Sequence, residues 1–118
     1  MTDYLLLIPS DEAAWDAVPQ AERDATYAKH MAFGEALAAR GHQVKAGAEL
    51  QPSAQARVVR GAPGAVSVTT GPYAESAEQL SGFYLISSDD LDDLLDCVAI
   101  LADGEGALEL RATTGGMA

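Results

Sequence analysis

The chain has 118 residues, 18 Asp and Glu against 7 Lys and Arg, and a formal net charge of −11. That balance excludes a nucleic-acid partner, because a phosphate binder needs Lys or Arg clustered on one face. A hydrophobic fraction of 48% with 21% charged residues is that of an ordinary globular protein. The length fits one domain, expected over residues 1–112, with a frayed, disordered tail over 113–118.

Thr2 to Ile8 is a near-continuous apolar run and reads as a buried strand that Pro9 stops. The run has no basic segment before it and is too short to span a membrane, so no membrane partner is expected. Cys97 is the only cysteine, which excludes an internal disulfide and fits a reducing cytoplasm. Ser10-Asp11 opens a turn or short helical segment through Trp15.

Pro19 begins a long helix that ends near Arg40, with Gly41 as its left-handed stop. Its inward stripe is read as Tyr27, Met31, Gly34, Leu37 and Ala38, with His30 beside it and Phe33 on a neighbouring face, covering an edge or a subunit contact. His42 follows the glycine and reads as an exposed loop residue. Residues 43–50 form a strand, and Ala54–Arg60 and Ala65–Thr70 form a hairpin around Gly61-Ala62-Pro63-Gly64. A polar loop follows, then a strand over Phe83–Ser87. Ser88 caps a second helix whose apolar positions are Leu91, Leu94, Leu95, Val98 and Leu101. That helix ends at Asp103-Gly104-Glu105-Gly106, and Ala107–Ala112 is the last strand.

Setting the hairpin aside, the order is β-α-β-β-α-β. It predicts an α+β ferredoxin-like fold: two helices on one face of an antiparallel sheet, plus an extra β-hairpin. The bare sheet face would expose a large apolar patch on a monomer, so a homodimer closing an α+β barrel is expected.

The candidate chemistry is sparse. His30 is the only histidine inside a predicted regular element and suits a general acid or base at a helix–sheet cleft. Glu49, Tyr73 and Glu75 are candidate ligand-binding residues. Glu78 and Gln79 either recognise a ligand or cap a turn. No metal site is expected, because two histidines 12 positions apart carry no ligand spacing. The Asp-rich run 89–96 lacks a calcium loop and suits the positive end of a helix. Cys97 reads as core, with no basic neighbour to activate it. No cofactor motif is visible.

Gly71-Pro72-Tyr73-Ala74-Glu75, Glu78-Gln79-Leu80 and Gly82-Phe83-Tyr84-Leu85-Ile86 together resemble the signature of the YCII-related, DGPF-type proteins. Tyr4 to Ile8, Asp11-Glu12, Trp15, Gly47 to Pro52 and Asp89 to Asp92 extend the likeness over nearly the whole chain. Thr70, Tyr73 and Ala77 depart from it, standing where relatives have aspartate, phenylalanine and lysine. The resemblance implies the same fold and a dimer. It also implies a catalytic role for His30, since a dehydrochlorinase-like enzyme of the superfamily has its proposed catalytic histidine on the first helix. The aspartate that accompanies that histidine has no matched position here. The expected function is binding of a small organic molecule, with His30 serving a lyase- or isomerase-type reaction. The alternative is a non-enzymatic regulatory or accessory module, of the kind some members form with extracytoplasmic-function sigma factors.

Overall fold

The computed structural model describes residues 1–115. In chain order the elements are β1 (Thr2–Asp11), α1 (Glu12–Asp16), α2 (Gln20–Ala39), β2 (Gln43–Glu49), a 3-10 turn (Ser53–Gln55), β3 (Arg57–Ala62), β4 (Ala65–Thr70), β5 (Glu78–Ser88), α3 (Leu91–Glu105) and β6 (Glu109–Ala112). The main sheet is antiparallel with order β2-β5-β1-β6, which is compatible with a ferredoxin-like arrangement. β3 and β4 pair only with each other, as a separate two-stranded ribbon.

Several boundaries differ from the sequence reading. Pro9 does not end β1, which continues to Asp11 with a register shift between Ile8 and Pro9. Proline has no N–H for the ladder, so it sits at an irregularity. β5 starts at Glu78 rather than Phe83, because Asp11, Ser10 and Pro9 supply partners for Glu78, Gln79 and Leu80. β3 starts at Arg57 rather than Ala54. Ser53–Gln55 is drawn instead into the 3-10 turn, whose Ser53 N–H and hydroxyl both donate to the Glu12 carboxylate at 2.9 Å. Ala62 pairs with Ala65, so the hairpin turn is Pro63-Gly64 alone. Gly61 is required there: its φ is +103°, and a Cβ would lie 2.2 Å from the Ala65 carbonyl oxygen.

One core joins the sheet to α2 and α3: Leu6, Ile8, Phe33, Leu37, Ile86, Leu94, Cys97, Val98 and Leu101. The inward line of α2 is not the expected one. Phe33 and Leu37 are fully buried, while Met31 is 70% exposed and Tyr27 44% exposed. Gly34 and Ala38 carry too little apolar area to set the helix's rotation. The larger Phe33–Leu37 pair at i, i+4 sets it, and His30 falls on the same side one turn earlier. Phe33 is therefore core, not an edge cover.

α3 is capped by Asp90, whose carboxylate accepts from the Asp93 N–H, and not by Ser88. Its last turn reaches Glu105, with Gly106 at φ +83° as the stop. Leu5, Leu7, Phe83 and Leu85 alternate with the core residues and point to the opposite sheet face, where they stay only half-buried. The molecule is a slab 49 × 43 × 17 Å. Thr113 donates its N–H to the Asp3 carbonyl at 2.8 Å. Residues 116–118 of the expected tail lie outside the described residues. No helix among the described residues is long and apolar enough to cross a membrane.

Candidate functional site

Three elements converge on His30. α2 carries it on its inward side, β5 supplies Tyr84, and the last turn of α3 supplies Glu105. His30 Nδ1 lies 2.6 Å from the Tyr84 hydroxyl, and Nε2 lies 2.8 Å from Glu105 Oε1. An ionised carboxylate only accepts, so Nε2 carries a proton. In the neutral imidazole, Nδ1 then accepts from the Tyr84 O–H. Burial, then the nearby Glu105 carboxylate, pushes the Tyr84 phenol above its ordinary value, so it stays protonated at neutral pH.

Packing fixes this relay. The Tyr84 ring stacks on His30 at 5.9 Å between centroids and 25° between planes. Phe33 meets Tyr84 edge-on at 5.3 Å and 69°. On β2, a Cβ at Gly47 would lie 2.9 Å from Tyr84 Cδ1, so the ring needs a glycine opposite it. The His30 side chain is 23% exposed. It opens onto a cleft of about 760 Å³ between α1, α2, β2 and β5.

Trp15, Tyr27, Val44 and Glu49 also line the cleft. The Tyr27 hydroxyl donates to Glu49 Oε1 at 3.3 Å. The Trp15 and Tyr27 rings stand nearly perpendicular, 6.0 Å apart at 87°. This is a cavity of ligand size with a titratable dyad in its wall.

A family model for the YCII-related domain matches residues 2–111. The chain belongs to the YCII-related domain family. It is 40% identical over 67 residues to an uncharacterized protein of Rhizobium meliloti (strain 1021), a stretch covering 54% of this chain and 54% of that protein. The match thus spans about half the length of that relative.

In this YCII-related chain, His30 and Glu49 share one cleft, but Tyr73 and Glu75 do not join them. Tyr73 is 85% exposed, outside the lining of the cleft. Glu75 lines a separate shallow depression with Asp11, Glu12 and Ser76. The family-signature loop is closed on itself: Gln79 Nε2 donates to the carbonyls of Ala74 (2.8 Å) and Ser76 (3.1 Å). Gln79 is thus occupied in shaping the loop, and Glu78 opens β5. Sequence reasoning missed Glu105, Tyr84, Trp15 and Tyr27 as site residues. One signal was available: Tyr84 has the parity of Ile86, which places it on the helix-covered face.

His42 requires a correction. It is buried, with its side chain 2% exposed, and not a loop residue in solvent. Its Nδ1 lies 2.8 Å from Ser88 Oγ and its Nε2 lies 2.6 Å from Asp93 Oδ2. Arg40 closes the other side of Asp93 and reaches Asp96 at 2.9 Å. The His42 bond, then Arg40, holds the Asp93 carboxyl below its ordinary value. Ligand atoms of His42, Asp93 and Cys97 lie within 4.8 Å of one another, a grouping the sequence spacing does not reveal. Arg40 already supplies the cation there, and both His42 nitrogens are bonded, so the cluster is built as a hydrogen-bond network. Arg40 is also a basic neighbour of Cys97, contrary to expectation. Burial outweighs it and pushes the thiol up.

Proposed function

We propose that the cleft binds a small organic molecule and that His30 moves a proton in an elimination or isomerisation. The observation that carries this reading is the Tyr84–His30–Glu105 relay in the wall of the 760 Å³ cleft. Tyr84 Oη takes a proton from a carbon acid while passing its own proton to His30 Nδ1. The imidazolium so formed is stabilised by Glu105, which also fixes the ring's orientation. Reversal delivers the proton to a different carbon in an isomerisation. In an elimination, the electron pair of the C–H bond becomes the new C=C bond, and the leaving group departs with the electron pair of its own bond to carbon. Glu49 and Tyr27, bonded to each other, shape the rest of the lining. Tyr73 and Glu75, outside the cleft, have no part in this scheme.

The working unit in this reading is a homodimer. Its support is the apolar stripe of Leu5, Leu7, Phe83 and Leu85 on the sheet face opposite the core, in a slab only 17 Å thick. Two such faces packed together would cover both stripes and form an α+β barrel. Light scattering should give twice 12.3 kDa, and Leu85→Glu should return it to 12.3 kDa. A wild-type mass of one chain would overturn the dimer.

Deuterium wash-in tests the chemistry. A panel of small carbon acids is incubated with the protein in deuterated water and followed by NMR. At least one member should gain deuterium with the wild type, and His30→Gln should slow that gain by about 100-fold or more. No exchange with any member, or equal exchange by His30→Gln, would overturn the proposal.

A further inference from the structure

The lining of the His30 cleft is electrostatically one-sided. Glu12, Asp16, Glu49 and Glu105 all stand on it, and no lysine or arginine is among its lining residues. Two of these carboxylates are already engaged: Glu12 holds Ser53 and Glu105 holds His30. Among the described residues Glu49 accepts only the Tyr27 hydroxyl, at 3.3 Å, which leaves most of its acceptor capacity unspent. The Asp16 carboxylate has no side-chain partner among the described residues.

The nearby cations are committed elsewhere. The Arg23 guanidinium lies over the Trp15 ring, 5.2 Å from its centroid. It donates to the carbonyls of Trp15 (2.8 Å), Asp16 (3.1 Å) and Val18 (3.2 Å), so it ties α1 to α2 and faces no anion site. Lys29 pairs with Asp103 at 3.0 Å. Even with Arg23 counted and His30 protonated, the four carboxylates leave the cleft negative.

The aromatic lining points the same way. Trp15 and Tyr27 form a near-perpendicular corner beside Glu49, and Tyr84 stands on the His30 side. Ring faces attract cations, and carboxylates beside them add charge-assisted hydrogen bonds. An anion entering this space would meet four carboxylates, while the Arg23 guanidinium over Trp15 already donates to three backbone carbonyls.

Building on the cleft reading above, we infer that the cleft selects a small organic cation. The ligand is an ammonium group on an apolar body, with the ammonium at Glu49 and the Trp15–Tyr27 corner. The body lies toward Val44 and Tyr84, where the relay can reach it.

Trp15 is the only tryptophan in the chain and lines the cleft, so its fluorescence reports occupancy. Three probes of one shape separate the possibilities: phenethylammonium, 2-phenylethanol and phenylacetate. The ammonium should bind roughly tenfold tighter than the alcohol, and phenylacetate should not saturate. Glu49→Gln keeps an acceptor for Tyr27 and should weaken the ammonium about threefold to tenfold, with the alcohol unchanged. If the alcohol or phenylacetate binds as well as the ammonium, the charge selectivity is wrong while the cleft stays a binding site. Silence from all three overturns the inference. The deuterium wash-in, whose panel spans neutral molecules, then decides the cleft reading on its own.

Discussion

The two histidines of this chain make the same set of bonds in two different places. His30 bridges a hydroxyl and a carboxylate, Tyr84 and Glu105; His42 bridges Ser88 and Asp93 in the same way. Only their surroundings differ. His30 borders a cleft, whereas His42 is sealed beneath the α2–α3 junction with Arg40 across its carboxylate. A hydroxyl–imidazole–carboxylate chain does chemistry only where a substrate can reach it. Sealed, it is a cross-link between elements.

The comparison can be broken first at the residue that supports the His30 relay. Phe33 is fully buried and packs on Tyr84, so Phe33→Ala should cost about 3–5 kcal/mol in urea unfolding and loosen the relay as well. His42→Ala should cost about 1–3 kcal/mol, because it leaves the buried Ser88 hydroxyl without its imidazole partner and Asp93 with Arg40 alone. A loss as small as that of an exposed residue would mean that the sealed relay is not a cross-link.

The next effect is smaller and depends on pH. The folded Asp93 carboxyl sits below its ordinary value of 3.8 because of His42 and Arg40. Its contribution is present above that ordinary value and is lost as pH falls through the folded value. Asp93→Asn should therefore melt lower than wild type at neutral pH, and the gap should close on acidification below about pH 4. A gap that widens on acidification would reverse the assignment. The smallest effect on stability belongs to His30→Ala, below about 1 kcal/mol, because Tyr84 and Glu105 border the cleft and can be rehydrated.

The same contrast explains what could be read from the sequence. The order of elements was legible because β1, β5 and α3 carry strong apolar patterns and glycines mark the helix ends. The rotation of α2 was not: Ala and Gly blur its stripe, and the weight of the Phe33–Leu37 pair appears only against Leu6, Ile86 and Leu101. Glu105 was hidden because its place over His30 depends on where the last turn of α3 docks, 75 positions along the chain. His42 was misread for the same reason, since its burial depends on Ser88 and Asp93 arriving from a distant segment. Glu49 was placed in the cleft because strand β2 fixes it beside Tyr27. Tyr73 and Glu75 lie in a self-closed loop, and turn chemistry alone gave them no direction.

The most direct test of the account is deuterium wash-in by wild type, His30→Ala and His42→Ala, each scaled to its folded fraction. The account predicts that His30→Ala stays folded and loses exchange by about 100-fold or more. It also predicts that the folded fraction of His42→Ala exchanges like wild type. Exchange by His30→Ala at the wild-type rate, or its loss in folded His42→Ala alone, would contradict it.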